Sequence, residues 1–331
     1  MAFTTAVLVG ATVFYAGWDL LGARELKPER RVDSTTLFDL IKLAFGVVAG
    51  AGALVALVMA YRRQRVDEDG ALRDATRLHT ERFTTAVSQL GDESVAVRLG
   101  GIHALAGLAD DAPTRGLRQT CIDVVCAYLR LPYTHEPDLP ADNREARHTY
   151  LALREVRRTT IRLIRDHLRL PLDHQHSWQG HNFDFTGVIF DGGDLGGAVF
   201  SSGAVHFHGA VFTGTAINFR KTVFSGATVN FGGADHLGGA DFASGTANFS
   251  EALFSGGTVN FHEATFSGGS VNFSRAVFSG ATVDFSQATF SGGTVDFSEA
   301  VGTAPTGLIP TADLPLPDGL FLPASWQPPA L

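Results

Sequence analysis

The sequence predicts a multidomain chain: a transmembrane α-hairpin at the N-terminus, a small α-helical segment in the middle and a β-helix at the C-terminus. Two apolar stretches of about 20 residues lie near the N-terminus, which is the length a membrane-spanning helix needs. Helical spacing of apolar residues follows from about residue 72. The composition has 37 Gly and 25 Phe against 5 Tyr and 3 Trp in 331 residues, and a bias this narrow indicates a repeat.

The two apolar stretches run over about 2–21 and 38–61. A helix rises about 1.5 Å per residue, so each could cross a hydrocarbon core of about 30 Å. Tyr15, Trp18 and Tyr61 fit interfacial positions. The first stretch has no basic leader region and no small-residue cleavage motif, so we expect it to be retained. The alternative is a pair of buried helices in a globular domain.

The orientation of this hairpin is harder to predict, because basic residues lie both between the spans and after them. Cys121 and Cys126 are five residues apart on a predicted helix and point in different directions, so we expect them to be unpaired. Unpaired thiols fit a reducing compartment. We therefore expect both termini in the cytoplasm, although the basic loop between the spans argues against this orientation.

The middle segment, 63–177, is predicted to be helical and cytoplasmic. Its first helix uses apolar residues from Leu72 and stops at Gly91. A second helix follows Ser94 as its N-terminal cap, and a third contains Cys121 and ends at Pro132. Short helices with small residues at their contacts resemble a HEAT-type helical pair.

The most basic part of the chain is 144–170, where five arginines lie near one helical face: Arg154, Arg158, Arg162, Arg165 and Arg169. Such a face suits anionic lipid or a nucleic-acid backbone. The alternative is a solvated helix whose arginines pair with Glu155, Asp166 and the acidic C-terminal repeats. No aromatic residue is interleaved with these arginines, and the net charge of the chain is −8, so nucleic acid is not an expected partner.

From Phe183 the chain divides into short units. The first four, FDFTG, VIFDG, GDLGG and AVFSS, have a period of five. Later units alternate five and seven residues, as in VNFHE-ATFSG-GS, and a six-residue unit, ADHLGG at 234–239, interrupts the phase. Twenty units fit between Phe183 and Glu299, eighteen of them with an inward Phe, which gives about five turns at four units per turn.

Each unit is predicted to be a short strand followed by a corner. Side chains alternate in a strand, so the small first residue (Ala252, Ala264) and the large third residue (Phe254, Phe266) point inward together. The Ser-Gly pair that follows suits a corner, because glycine tolerates backbone angles that other residues avoid. Stacked turns should then align the phenylalanines in columns.

These units resemble the pentapeptide-repeat family, whose pattern is A-(D/N)-(L/F)-X-X. The resemblance covers about 120 residues, 178–300, and implies a right-handed quadrilateral β-helix. The two-residue inserts depart from the family and imply a turn of about 24 residues with two wider faces, or a different cross-section. The whole arrangement, with LFDLIK, YRRQR and RQTCIDVVCAYLR, is similar to a bacterial membrane-anchored subfamily without an assigned activity. That similarity implies a multi-pass protein of the bacterial plasma membrane.

The middle residue of each unit should point outward. After each insert this residue is Asn or Asp, whereas in the other units it is mostly Val, Leu or Thr. We therefore predict Asn/Asp ladders on one pair of faces and a candidate interaction face on the other, formed by Val211, Val223, Leu253, Thr265, Val277 and Thr289. Its occupant would be an unknown protein partner or a second copy. The alternative is β-propensity alone.

The leading hypothesis for function is a non-enzymatic membrane-tethered scaffold. Some pentapeptide-repeat proteins are acidic mimics of DNA that bind gyrase, and the repeats here carry ten acidic against three basic residues, so an inhibitor or immunity factor is the alternative. No catalytic or cofactor motif is present. His174, His176 and His181 are candidate metal ligands, but they lack an evident fourth ligand, so no metal is expected. The tail, 301–331, is Pro-rich and is expected to cover the last turn.

Overall fold

The computed structural model describes residues 11–12, 15–16, 18–19, 33–135, 143–214, 216–234, 236–309 and 315–327. The chain divides into two compact units, Met1–Asp74 and Ala75–Leu331. The first predicted membrane span, 2–21, lies outside the described residues except for three short pairs, which are helical. The second span lies in helix α1, Ser34–Leu90.

Helix α1 is longer than the sequence indicated. We expected a membrane span to end near residue 61 and a separate helix to begin near Leu72, but the helix continues through both. The polar stretch between them contains no proline, and its one glycine, Gly70, lowers helix stability by only about 1 kcal/mol. Gln64 donates a hydrogen bond to Glu68 one turn later, which supports the helix locally.

Three further helices belong to the second unit: α2 (Val95–Asp110), α3 (Arg115–Arg130) and α4 (Arg144–Arg169). The predicted boundary at Gly91 is confirmed, since α1 ends at Leu90. Ser94 precedes α2 as predicted, but its side chain makes no capping bond. The caps of α3 and α4 are formed by Thr114 and Asn143, each of which accepts a bond from a backbone amide three residues later.

Beyond residue 182 the chain forms a β-solenoid of about six turns, built from short parallel strands. The strands are β1 (Phe183–Asp184), β2 (Ile189–Phe190), β3 (Gly193–Asp194), β4 (Val199–Phe200), β5 (Ala204–His206), β6 (Val211–Phe212), β7 (Ile217–Asn218), β8 (Val223–Asn230), β9 (Asp241–Phe242), β10 (Thr246–Asn248), β11 (Leu253–Asn260), β12 (Thr265–Phe266), β13 (Ser270–Asn272), β14 (Val277–Phe278), β15 (Thr282–Asp284), β16 (Thr289–Phe290), β17 (Thr294–Asp296), β18 (Val301–Gly302) and β19 (Leu320–Phe321). A 3₁₀ turn, Ala324–Trp326, follows.

The strand registers give the length of each turn. Val205 pairs with Val229 and Val259 with Val283, so these turns have the 24 residues that the inserts predicted. Between Val229 and Val259 the turn has 30 residues. The six additional residues are those of the irregular unit. The described residues of this unit lie in a loop closed by the Ala240 amide, which donates to the Phe231 carbonyl at 2.7 Å.

The core of the solenoid consists of phenylalanine columns, as predicted. In one column Phe207, Phe231, Phe261 and Phe285 stack with ring centroids 4.5–4.6 Å apart. These rings are buried, as are the small inward residues Ala252 and Ala264. Burying a phenylalanine contributes about 1.5–3 kcal/mol, so the columns are the main source of stability of this fold.

Both ends of the solenoid are covered. Ile161 and Ile164 of α4 are buried in the same core as the first turn, and the side chain of Ile161 lies directly over Gly193. At the other end β19 pairs with β17, and Trp326 packs on Phe278 and Phe297 with centroids 5.5 and 5.8 Å away. The repeats supply five turns, as counted from the sequence, and the tail adds part of a sixth.

Candidate interaction surface

The outward side chains form four parallel ladders along the solenoid. The first, called here the aliphatic ladder, is an unbroken row of Val199, Val223, Leu253, Val277 and Val301. All five are partly or fully exposed, and Val301 is 53% exposed. The second, the mixed ladder, contains Ile189, Val211, Asp241, Thr265 and Thr289.

The six residues of the predicted interaction face are therefore divided between two ladders. Val223, Leu253 and Val277 lie next to one another on the aliphatic ladder. Val211, Thr265 and Thr289 lie on the mixed ladder, where Asp241 stands between Val211 and Thr265. The structure thus assembles two different surfaces, of which one is continuous and uncharged. The division follows from four units per turn, because Val211 and Val223 are two units apart and so lie on different ladders. The predicted face also left out Asp241, which is the middle residue of its own unit.

The two remaining ladders carry the Asn and Asp side chains, and their role is structural. In each turn the side-chain oxygen accepts a hydrogen bond from the backbone amide two residues later, at 2.7–3.0 Å. The residues that do so are Asp184, Asp194, Asn218, Asn248, Asn260, Asn272, Asp284 and Asp296. This is the Asx turn that Asn and Asp favour. These side chains shape the corner that follows each strand.

Charged residues occupy those corners in a strained backbone conformation. Lys221, Glu251 and Arg275 have φ of 58–60°, the left-handed region that usually needs glycine, and Gly187 and Gly197 occupy equivalent corners in the first turn. The charges along this corner alternate in sign. Glu251 bonds to Arg220 at 2.6 Å and to Lys221 at 3.4 Å, and the Arg220 bond lowers the pKa of Glu251. These charges are thus satisfied within the solenoid.

The predicted basic face of α4 is partly used inside the protein. Arg165 pairs with Asp166 and with Asp194 of the first turn, and Arg169 donates to the Gly196 carbonyl at 2.7 Å. Arg162 is exposed, while Arg154 and Arg158 are half-buried. The lipid or nucleic-acid interpretation of Arg154, Arg158 and Arg162 stays a prediction, whereas Arg165 and Arg169 attach the helix to the solenoid.

Arg157 of α4, which the helical pattern of arginines did not identify, is the buried arginine of this attachment. It is 5% exposed and donates to the carbonyls of Leu129 and Ile189, both at 2.7 Å. Its guanidinium also lies 4.3 Å from the ring centroid of Tyr133. Burial lowers the pKa of Arg157, while Tyr133 and Asp191 oppose that effect. The residue therefore links the helices to the first turn.

Asp191 completes this buried cluster. Its carboxylate accepts hydrogen bonds from the hydroxyls of Tyr133 at 2.6 Å and Tyr150 at 2.9 Å. Burial and the neighbouring carboxylate both raise the pKa of Tyr133, so the phenol stays protonated and acts as a donor. The cluster joins β2, α4 and the segment after α3. A buried polar network of this kind positions packed elements.

Of the three candidate metal-binding histidines, His174 and His176 are neighbours with ring centroids 5.3 Å apart, whereas His181 bonds elsewhere. His181 is buried and bonds to Gln119 at 3.0 Å, and burial together with Arg115 and Arg118 lowers its pKa to about 4. His176 instead lies near Asp110, with 3.9 Å between nitrogen and oxygen. Within the described residues there is no group of three or more His, Cys, Asp or Glu side chains arranged to hold a metal.

Asp110 holds a different histidine, His167 of α4. The distance between His167 Nε2 and the carboxylate is 3.1 Å, and the ring stacks on Trp178 at 4.2 Å. Burial alone would lower the pKa of His167, but the bonds to Asp110 and to the Leu163 carbonyl and the nearby carboxylate charges together outweigh it, so the pKa is raised. The Trp178 indole donates to the same carboxylate. These contacts fix the segment that connects α4 to the solenoid.

Both cysteines are unpaired and buried, as expected. Burial raises the pKa of Cys121 to about 11 and that of Cys126 to about 12, so neither thiol ionises near neutral pH. Thiols in such surroundings are unreactive, because the thiolate is the nucleophile.

Comparison with protein-family models, with curated proteins and with solved structures gave no match. In the described part of the chain, one helix, Ser34–Leu90, is long and apolar enough to cross a membrane. Its most apolar window has a mean hydropathy of 2.4, and none of that window is buried.

Proposed function

We propose that this protein is a non-enzymatic, membrane-tethered interaction module that presents the aliphatic ladder to a protein partner. The observation that carries the proposal is the contrast between this ladder and the other outward rows. The Asn and Asp ladders form Asx turns, and the corner charges pair with one another. The aliphatic ladder has no comparable internal role, and a row of five exposed aliphatic side chains is typical of a contact site.

The fold supports this role. We propose that the solenoid is a right-handed quadrilateral β-helix of the pentapeptide-repeat type, since the parallel strand pairs form four rows along it. Repeat solenoids commonly use a long regular surface for binding. The buried polar groups of the described segments, such as Asp191 and Arg157, are used to hold elements together, which supports a non-enzymatic role.

The membrane anchor is part of the same proposal. The apolar half of α1 supports one span, and the apolar stretch 2–21 is proposed as the second span of a hairpin. We place the protein in the bacterial plasma membrane with both termini in the cytoplasm. Alkaline extraction of membranes should leave the full chain in the pellet, and a C-terminal reporter active only in the cytoplasm should be active. If alkali releases the protein from the membranes, the proposed transmembrane anchor is wrong.

A photo-crosslinking amino acid tests the interaction surface directly. Placed at Leu253, at the centre of the aliphatic ladder, it should give a discrete covalent adduct when membranes are irradiated. The matched control is Thr265, which has the equivalent position on the mixed ladder. Equal adducts from both positions, or none from Leu253, would contradict a specific contact at this ladder.

A further inference from the structure

The aliphatic ladder is one edge of a wider uncharged surface. Strands β8 and β11 each cover eight residues, so in these two turns the ladder continues into the neighbouring strand positions, with register shifts around Gly256. Next to it lie the exposed hydroxyls of Ser225, Ser255 and Ser279, followed by a ladder of Ala204, Thr228, Thr258 and Thr282. We call this surface, from the aliphatic ladder to the Thr ladder, the broad face. Its outward side chains are all uncharged.

The dimensions of the broad face reach the lower size limit of a specific protein–protein interface. Six residues at about 3.3 Å give a width of about 20 Å, and five rungs at about 4.8 Å give a length of about 24 Å. The face therefore covers about 480 Å². Two such faces in contact would bury about 1,000 Å² in total, which is the lower limit for a specific protein–protein interface.

Charge decides which occupant fits best. The repeats between 183 and 300 carry ten acidic against three basic residues, and none of these charges lies on the broad face, so two copies can meet there without opposing like charges. A charged partner would find no opposite charge to bind on this face, whereas a second copy brings an equally uncharged surface of the same size.

We propose that the broad face is the interface of a homodimer, in which a two-fold axis sets the aliphatic ladder of one copy against that of the other. This inference rests on the proposed function, because it names the partner of the same surface. A two-fold contact is self-complementary, so Val223 and Leu253 meet aliphatic side chains of the partner copy. Anchoring both copies in one membrane would raise their effective concentration.

The full chain in detergent micelles is the material for the first test. Sedimentation should show a dimer for the wild type. Val223→Lys combined with Leu253→Lys should raise the dimer dissociation constant about a hundredfold or more, because like charges would face each other. The control, Val211→Lys with Thr265→Lys, makes the same change on the mixed ladder and should leave the dimer intact. A monomeric wild type at about 100 μM, or equal loss in both variants, would overturn the inference.

A second test does not depend on how the lysine variants fold. Leu253→Cys should form a disulfide between copies under mild oxidation, whereas Val211→Cys should not. Background from Cys121 and Cys126 is small because both are buried. If Leu253→Cys fails to crosslink while the photo-crosslinker at Leu253 captures another protein, the homodimer is wrong and the interaction module stands. If neither probe gives an adduct, both proposals fall.

Discussion

Replacing Arg157 by methionine should weaken the attachment of the helices to the solenoid. The two carbonyls that its guanidinium binds, at 2.7 Å each, would lose a charged donor in a buried site. A hydrogen bond to a charged group contributes about 1.5–3 kcal/mol, and the contact with Tyr133 adds up to about 2 kcal/mol. Burying the charged guanidinium is itself unfavourable, as the lowered pKa of Arg157 indicates, and removing that cost offsets part of the loss.

We therefore expect the free energy of unfolding to fall by about 3 kcal/mol, which for a unit of this size lowers Tm by about 6–12 °C. The matched control is Arg162→Met on the same helix. Arg162 is exposed and its side chain makes one long bond, 3.4 Å, to Thr159. A surface change of this kind should cost less than about 0.5 kcal/mol.

Thermal unfolding of the full chain, followed by circular dichroism, measures both variants. A double-mutant cycle with Tyr133→Phe then isolates the coupling between Arg157 and the Tyr133–Asp191 pair, which we expect to be about 1 kcal/mol. The reasoning is refuted if Arg157→Met and Arg162→Met unfold at the same temperature, since the buried guanidinium would then contribute nothing to the attachment.

Three further predictions concern the solenoid and its attachment. Phe261→Ala should cost about 3–5 kcal/mol in denaturant unfolding and Phe290→Ala clearly less, because Phe290 is only partly buried; equal costs would contradict the column model. Gly187 has φ +68°, and a Cβ added there would meet no atom within 4 Å, so Gly187→Ala should destabilise the fold by about 1 kcal/mol through backbone strain alone. Gln287→Gly, at φ 60°, should stabilise the fold slightly, and opposite signs would show that backbone strain is not the cause of these changes. His181 has a pKa of about 4 when folded and 6.5 otherwise, so the unfolded chain binds more protons between these values. The free energy of unfolding should therefore fall by up to about 3 kcal/mol as the pH drops from 6.5 towards 4. In His181→Gln this part of the dependence of unfolding free energy on pH should disappear, and an unchanged dependence would show that His181 is not the group responsible.

Local patterns in the sequence predicted the repeating part of the fold well. The 24-residue turn and the phenylalanine columns follow from the spacing of one residue type and the alternation of side chains along a strand. The ends of α1 and α3 were also readable, since Gly91 and Pro132 stop a helix by their own backbone chemistry. These features depend only on residues that are close together in the sequence, so they can be predicted from one sequence.

Tertiary relations were not readable in the same way. Arg157 and Arg162 look alike in the sequence, and only the packing of α4 on the first turn buries one and exposes the other. The six residues of the predicted face also looked equivalent, although four units per turn separate them into two ladders. The place of Asp241 in the mixed ladder depends on which strand of the previous turn it pairs with.

The loop at 232–239 has a consequence for how this chain can change in length. The bond from the Ala240 amide to the Phe231 carbonyl is the one that closes an ordinary corner, where Ala264 donates to Phe261 at 2.9 Å. Eight residues therefore replace two without altering the pairing of the strands on either side. This corner is a site where peptide can be inserted, as an epitope or a labelling tag, while every rung keeps its partner.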